Sequence, residues 1–435
     1  MPTFVPGIIT QVDWIMIAMW FRLRPDIRYS DLGYGMLRCL FAGGRAQILQ
    51  ELDQRWAGTD HTFACLSVRT GFDLLWEALA LPAGSEVVVT ALTIPDMVTI
   101  LKRHQLIPVP LDISPDTLAP NPEALRRCLS PKTRAIVLTH LFGTYVPVEP
   151  LLQILAGRQV LLIEDCAQAF TGCQGYTGQL QADVAMFSFG PIKTATALGG
   201  SLFRVRDKAL LRRLHQIHDR LPRQRCWPFF LRLWKYLLLK LATSPPVWGL
   251  IVRICTKLDL SYDKAISQLA RGFSGKQDLI KQVRYQPSTP LLALLRRRLA
   301  NCNAQDLQRR QHNGELLMKL LSPRVEVGGA ATRNPSFWLF PVLSRRRAEI
   351  ISQLRQHGFD GSQHHTLAVV PMSGGLGHGS DNAARRILDT LMFVPAGSAI
   401  PEREIRRLAE CLLTISSQLE DATDPKESSR STHHS

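Results

Sequence analysis

Short apolar runs, each ended by polar, glycine or proline residues, alternate along the chain with longer segments whose apolar residues recur at helical spacing. Val87 to Val89, Leu106 to Leu111, Ala135 to Leu138, Val160 to Ile163, Val184 to Phe189 and Ser201 to Val205 read as strands. Their near-continuous apolar character suits strands covered on both faces. Between them run helix patterns: Ala46 to Trp56, with Ile48, Leu49 and Leu52 on one face; Thr70 to Leu79, with Leu74, Leu75 and Ala78; and Pro122 to Leu129. The alternation predicts right-handed crossover units, hence an α/β fold built on a mostly parallel sheet. A long basic helix pattern, Leu291 to Leu320, whose Arg296-Arg297-Arg298 and Arg309-Arg310 read as a solvated face, leads to a second α/β lobe with strand-like Phe337 to Leu343 and helices over Ala348 to His357 and Glu402 to Leu419. The pattern divides the chain into a large domain over 24–290, a small domain with its bridging helix over 291–420, and a polar tail over 421–435 that reads as disordered.

Two segments stand outside this rhythm. Residues 1–23 form an apolar extension, with Trp14 to Phe21 predicted as a helix packed on the domain or a dimer partner, membrane contact being the alternative. No cations precede it and no small-residue cleavage site follows, so it does not read as a secretory signal; it is also too short to span a bilayer. Residues 221–275 form an insert in which Phe229 to Leu241 is rich in Leu and aromatics with a cation every few residues, and Pro245-Pro246 precedes a second apolar stretch to Leu258. Apolar faces with cationic edges suit a segment lying in a lipid headgroup layer through 226–258. An elaborated dimer interface or a lid over the active site suits them equally, and both readings stay open.

Composition narrows the class. With 435 residues, 46% hydrophobic, the chain buries a large core and a second, smaller one. Nine scattered cysteines with no C-x-x-C pair indicate neither a disulfide framework nor a zinc site, so no metal is expected and a reducing, cytoplasmic setting fits. The net charge of +16 is compatible with nucleic acid, an anionic membrane face or an anionic small molecule. No helix-turn-helix, zinc finger or stacking platform is legible, which sets nucleic acid aside.

The candidate chemistry lies between Gln159 and Val205. The run ending in Glu164-Asp165-Cys166-Ala167-Gln168 presents a carboxylate at a strand end, and the next strand, through Phe187-Ser188-Phe189-Gly190-Pro191, is followed by Lys193 and by Ala197-Leu198-Gly199-Gly200. An amine and a carboxylate at neighbouring strand ends are what pyridoxal phosphate (PLP) requires: a lysine to hold it covalently and an acid to keep its ring nitrogen protonated. On these motifs the chain resembles the DegT/DnrJ/EryC1/StrS family of sugar aminotransferases, PLP enzymes of fold-type I.

The resemblance implies a large α/β/α domain with a smaller C-terminal α/β domain, and a homodimer with sites shared between subunits. It implies that Lys193 is the covalent lysine and Asp165 the partner of the ring nitrogen, with Gln168 at the ring hydroxyl and Ser188 at the phosphate. Thr70, Gly71 and Phe72 occupy the family's Ser-Gly-Thr position, where a helix start offers N–H groups to the phosphate. Ile94 stands where the family has a stacking aromatic. In place of the family's Asn-x-Arg the chain reads Arg284-Tyr285-Gln286, and Arg284 or Gln286 is the candidate substitute. His364 and His365 fall near a substrate-facing histidine loop. His140 matches a family histidine and reads as structural rather than catalytic.

The activity implied is transfer of an amino group from an amino acid, glutamate first, to a keto sugar, nucleotide-linked, in surface-polysaccharide or secondary-metabolite biosynthesis. The alternatives are another PLP reaction on a lipid-like substrate, or a non-catalytic membrane-surface protein on this fold.

Overall fold

The computed structural model describes residues 18–22, 24–41, 43–56, 61–258, 278–333, 335–364, 366–371 and 382–421. Its centre is a seven-stranded sheet in the order Thr62–Cys65, Ser201–Val205, Val184–Ser188, Leu161–Asp165, Thr133–Thr139, Glu86–Thr90, Ile107–Leu111. The last five of these pair in parallel, while Ser201–Val205 is antiparallel to both its neighbours. The strands predicted from apolar runs are all present, and their side chains are covered on both faces. Phe72, Trp76, Ile100 and Leu214 pack on one face; Leu52, Phe187, Leu202 and Leu294 pack on the other.

Parallel strands point the same way, so their C-terminal ends gather along one rim of the sheet. Ligands in open α/β sheets bind at that rim. Asp165 ends one central strand and Ser188 the next. A three-stranded antiparallel sheet, Phe340–Leu343, Leu391–Val394 and Ser362–Gln363, carries the core of the C-terminal lobe with Leu354, Leu408 and Leu412.

Three expectations are corrected. Trp20–Phe21 is a strand paired in parallel with Phe359–Asp360, not the end of a helix, because Met19 and Phe21 insert beside Trp248 and Val252. Residues 1–17 of the extension, the polar tail after 421 and residues 259–275 of the insert lie outside the described residues. The bridging helix is two helices, Thr289–Ala300 and Ala304–Leu321, since the Asn303 side chain caps the second by accepting the Gln305 N–H (3.1 Å). Its arginines are not a solvated face: Arg298 is buried, bonded to Asp31 (2.8 Å) and Asp26, and Arg310 donates to Thr194 Oγ1 (2.9 Å) and the Ser336 carbonyl.

The insert begins with two helices, Cys226–Ala242 and Pro245–Lys257, bent from each other by 85°. Proline at the start of the second is tolerated because a first-turn N–H has no helical partner to lose. On the first helix Phe229, Leu233 and Tyr236 are buried, against Tyr29–Leu40 and Thr289–Ala300. Trp227, Leu231, Trp234, Leu238 and Leu241, at alternating four- and three-residue spacing, are exposed. No single described helix is long and apolar enough to cross a membrane; the bent pair passes that test only when taken together.

Candidate active site

A cavity of about 500 Å³ opens at the C-terminal rim of the sheet, between it and the C-terminal lobe. Asp165, Gln168, Ser188, Lys193, Ile94 and His364, expected from scattered parts of the sequence, all line it. A larger cleft, near 900 Å³, lies around Arg45, His215 and Arg223; it is more open, and of the candidate residues only Gln286 lines it.

Lys193 lies in the turn after Ser188, its N–H bonded to the Gly190 carbonyl (3.0 Å). Its ammonium sits 3.8 Å from the centre of the Trp338 ring, and the indole N–H is tied to the Ile192 carbonyl (2.9 Å). Desolvation brings its pKa down to about 7, with Asp165 opposing the shift and Arg69 assisting it. Asp165 is 7% exposed and accepts one hydrogen bond, from the Ala167 N–H (3.1 Å). Among the described residues no cation reaches ion-pair distance of it, and burial pushes its pKa up despite the pull of Ala167, Lys193, His140 and Arg69. A buried carboxylate with so little compensation suits a cationic partner brought in from the cavity.

Gln168 is held by its side-chain carbonyl, which accepts the Phe142 N–H (2.7 Å) in the turn Leu141–Gly143. That leaves its amide NH₂ for a group in the cavity. Ser188 Oγ lies 3.4 Å from the Gly190 N–H. Ile94 caps the helix Pro95–Arg103 with its backbone and presents an aliphatic side chain to the cavity. The cavity's aromatics are Phe142, Trp338 and Phe393, all on other elements.

Thr70, Gly71 and Phe72 do not line the cavity. Their helix starts two residues earlier than the apolar spacing predicts, at Val68, because Ser67 Oγ accepts the Thr70 N–H (3.1 Å) as its cap. Gly71 N–H bonds back to the Ser67 carbonyl (3.1 Å), and a Cβ at Gly71 would stand 2.2 Å from the Phe203 ring. This glycine serves helix–sheet packing. The residues that bring the helix start to the cavity are Ser67, Val68 and Arg69.

Arg284 is also elsewhere. Its guanidinium is paired with the buried Asp73 (2.7 Å) and with Glu77. Gln286 is taken up by the Asp219 and Leu221 carbonyls and by Arg45. His365 lies outside the described residues. His140 is fully buried away from the cavity: its Nδ1 accepts the Val146 N–H (3.1 Å) and its Nε2 meets Glu164 (3.1 Å). Both ring nitrogens are engaged, so although His140, Glu164 and Cys166 lie within 4.8 Å of one another, no imidazole lone pair is left for a metal.

Residues 40–224, which supply nearly all of this rim, match the DegT/DnrJ/EryC1/StrS aminotransferase family. The matched span is a little less than half of the chain. It is 38% identical over 93 residues to an L-glutamine:2-deoxy-scyllo-inosose aminotransferase of Micromonospora echinospora, and 30% identical over 161 residues to one of Streptomyces fradiae. These matches cover 21% and 37% of the chain, and span 22% and 38% of the relatives' own lengths. In structure it is similar to PseC of Helicobacter pylori, an aminotransferase involved in the biosynthesis of pseudoaminic acid. The TM-score is 0.68 at 14% identity, over 92% of this chain and all of that one. The fold is therefore the fold-type I architecture.

Against the family pattern, the sequence reading missed Trp338, Arg22 and Arg232, all of which line the cavity. Trp338 and Arg22 come from segments distant in sequence, and Arg22 is tied to the buried Asp360 (2.6 Å). The true helix start was legible, since Ser67 is a good cap residue three before Thr70.

Proposed function

We propose that the protein is a PLP-dependent aminotransferase that moves an amino group from an amino acid, glutamate in the first instance, to a keto sugar, nucleotide-linked, in surface-polysaccharide or secondary-metabolite biosynthesis. The observation that carries this is one cavity holding both an amine brought down to about 7 and a buried carboxylate with no cation paired to it. The residues present fit PLP: Lys193 to hold it, Asp165 to meet its ring nitrogen, Gln168 its hydroxyl, and Ser188 with the Val68 and Arg69 N–H groups its phosphate. When bound, it supplies a carbonyl that condenses with amines and a ring that accepts the electron pair of a broken C–H bond.

The chain supplies the rest. Near neutral pH Lys193 Nζ is balanced between its protonated and free forms, the best state for both taking and returning a proton. Trp338 fixes where that proton is carried by lying beneath the amine. Asp165, kept from water, holds positive charge on the group it faces. His364 with Gln363, at the mouth beside the C-terminal lobe, offers polar contacts to the sugar. The test is the visible spectrum of the PLP-loaded protein before and after L-glutamate, with L-glutamine as the second donor. Conversion to the pyridoxamine form is expected with one or both; a spectrum unmoved by either overturns the reading.

Two assembly proposals accompany it. A homodimer follows from the family resemblance, with Leu37, Leu40 and Phe41 leaving apolar surface exposed for a second copy. Peripheral contact with an anionic membrane, at the inner face of a reducing compartment, is supported by the exposed stripe from Trp227 to Leu241, by the free state of all nine cysteines, and by cations at Arg225, Lys235, Arg253 and Lys257 with no Asp or Glu between Pro222 and Leu258. Sedimentation with vesicles containing anionic phospholipid should pull the protein down. Changing Trp227 and Trp234 together to Ser should weaken that binding about 30-fold, since each removes exposed aromatic surface worth roughly 1 kcal/mol on burial. Equal sedimentation of both proteins would reject the membrane contact.

A further inference from the structure

The helix Cys226–Ala242 buries a stripe formed by Phe229, Leu233 and Tyr236, and on that inward side, one residue before Leu233, stands Arg232. Arg232 itself is half-buried, and a partly desolvated guanidinium on the inward side of a helix is favoured by an anionic partner. Within the described protein Arg232 has one hydrogen-bond partner, the Leu198 carbonyl (3.1 Å), and forms no ion pair. Burial lowers its pKa, an effect Tyr236 only partly offsets.

Its position shows where the compensation belongs. Arg232 lines the same cavity as Lys193, and its Nη1 lies 3.2 Å from where a Cβ on Gly199 would be, so only a glycine leaves that approach open. The neighbouring Gly200 N–H bonds to the Leu66 carbonyl (2.8 Å), which joins this turn to the start of the helix Val68–Leu79. The guanidinium, the start of the helix Val68–Leu79 and the hydroxyl of Ser188 therefore border one end of the cavity. All three can donate to an anion, and no carboxylate among the described residues pairs with Arg232.

We propose that Arg232, delivered by the insert, is a ligand of the cofactor's phosphate, so that this end of the site is completed from within one chain. The inference rests on the PLP reading above. It assigns the insert an inward task separate from its exposed apolar stripe, and explains why Arg284 and Gln286 can be spent on ion pairs and hydrogen bonds elsewhere. A planar fork of donors suits a phosphate dianion, and it forms charge-assisted hydrogen bonds that a neutral amide cannot match.

The test compares PLP with pyridoxal, which lacks the phosphate. Each is titrated into the full-length apoprotein, wild type and Arg232→Gln, and followed by absorbance and by quenching of tryptophan fluorescence. Arg232→Gln should weaken PLP binding about 10- to 100-fold and leave pyridoxal within about twofold of wild type. Arg232→Lys, which keeps the stem and the charge but not the fork, should lose about 3- to 10-fold for PLP alone, and decides the matter should Arg232→Gln fail to fold. Equal losses for both ligands, or no loss for PLP, would overturn the assignment while leaving PLP as the cofactor. A wild-type protein that binds neither ligand would overturn both this inference and the PLP reading beneath it.

Discussion

Lys193→Ala should abolish covalent retention of PLP and slow the glutamate half-reaction by roughly 10²- to 10⁴-fold, the range for losing a positioned proton carrier. Borohydride reduction followed by intact mass should fix one cofactor to the wild type and none to the variant. The pH dependence adds a signature. An amine brought down to about 7 is neutral, hence nucleophilic, above that pH, whereas an ordinary lysine near 10.5 is almost entirely protonated there. Fixation by borohydride should therefore rise through about pH 7. The same shift acts on stability. Because the folded value lies below the unfolded one, folding penalises the protonated amine. The apoprotein should lose stability as pH falls from the unfolded value towards about 7, with the full penalty present below that. Lys193→Ala should lack this slope, which thermal unfolding of the two apoproteins between pH 6 and 10 would read. A variant that fixes PLP as well as wild type would show that another lysine does this chemistry.

Asp165→Asn should separate activity from stability. The substitution keeps an oxygen for the Ala167 N–H but removes the negative charge facing the cavity. Loss of one preorganised electrostatic partner lowers turnover by about 10²- to 10³-fold, here with the PLP-loaded fraction verified by absorbance. Burial raises the Asp165 pKa, so its charged form is disfavoured in the folded apoprotein. That penalty is absent at pH below the unfolded value near 3.8, grows as pH rises from there towards the raised folded value, and is complete above it. The apo variant should accordingly melt higher than wild type at pH 7 and equal it in acid. Loss of activity with a lower melting temperature at pH 7 would mean the carboxylate is structural, and retained activity would remove it from the mechanism.

The two positions were legible for different reasons. Asp165 ends an apolar run, and a run covered on both faces has to end where a crossover begins, so its polar residue emerges at the sheet rim whatever surrounds it. Lys193 was legible from its spacing after Ser188 and its place before Gly199-Gly200. Gly71 misled because a glycine near a helix start has two physical uses, approach to a ligand and close packing on a sheet. Only the position of Phe203, far along the chain, distinguishes them.

The basic segments misled in the same way. Arg296 to Arg298 and Arg310 look like solvated charge until Asp26, Asp31, Glu51 and Thr194 are placed against them. Arg284 looked available until Asp73 and Glu77, on the helix Val68–Leu79, claimed it. Sequence alone determined the alternating strands and helices, the α/β class and the residues carried to the strand ends, because each depends on local periodicity and on where an apolar run stops. Tertiary structure alone decided which cations are spent on carboxylates and which face the cavity, since the partners of Arg22, Arg232, Arg284 and Arg298 are set by packing between segments far apart in the chain, a contact that no local pattern encodes.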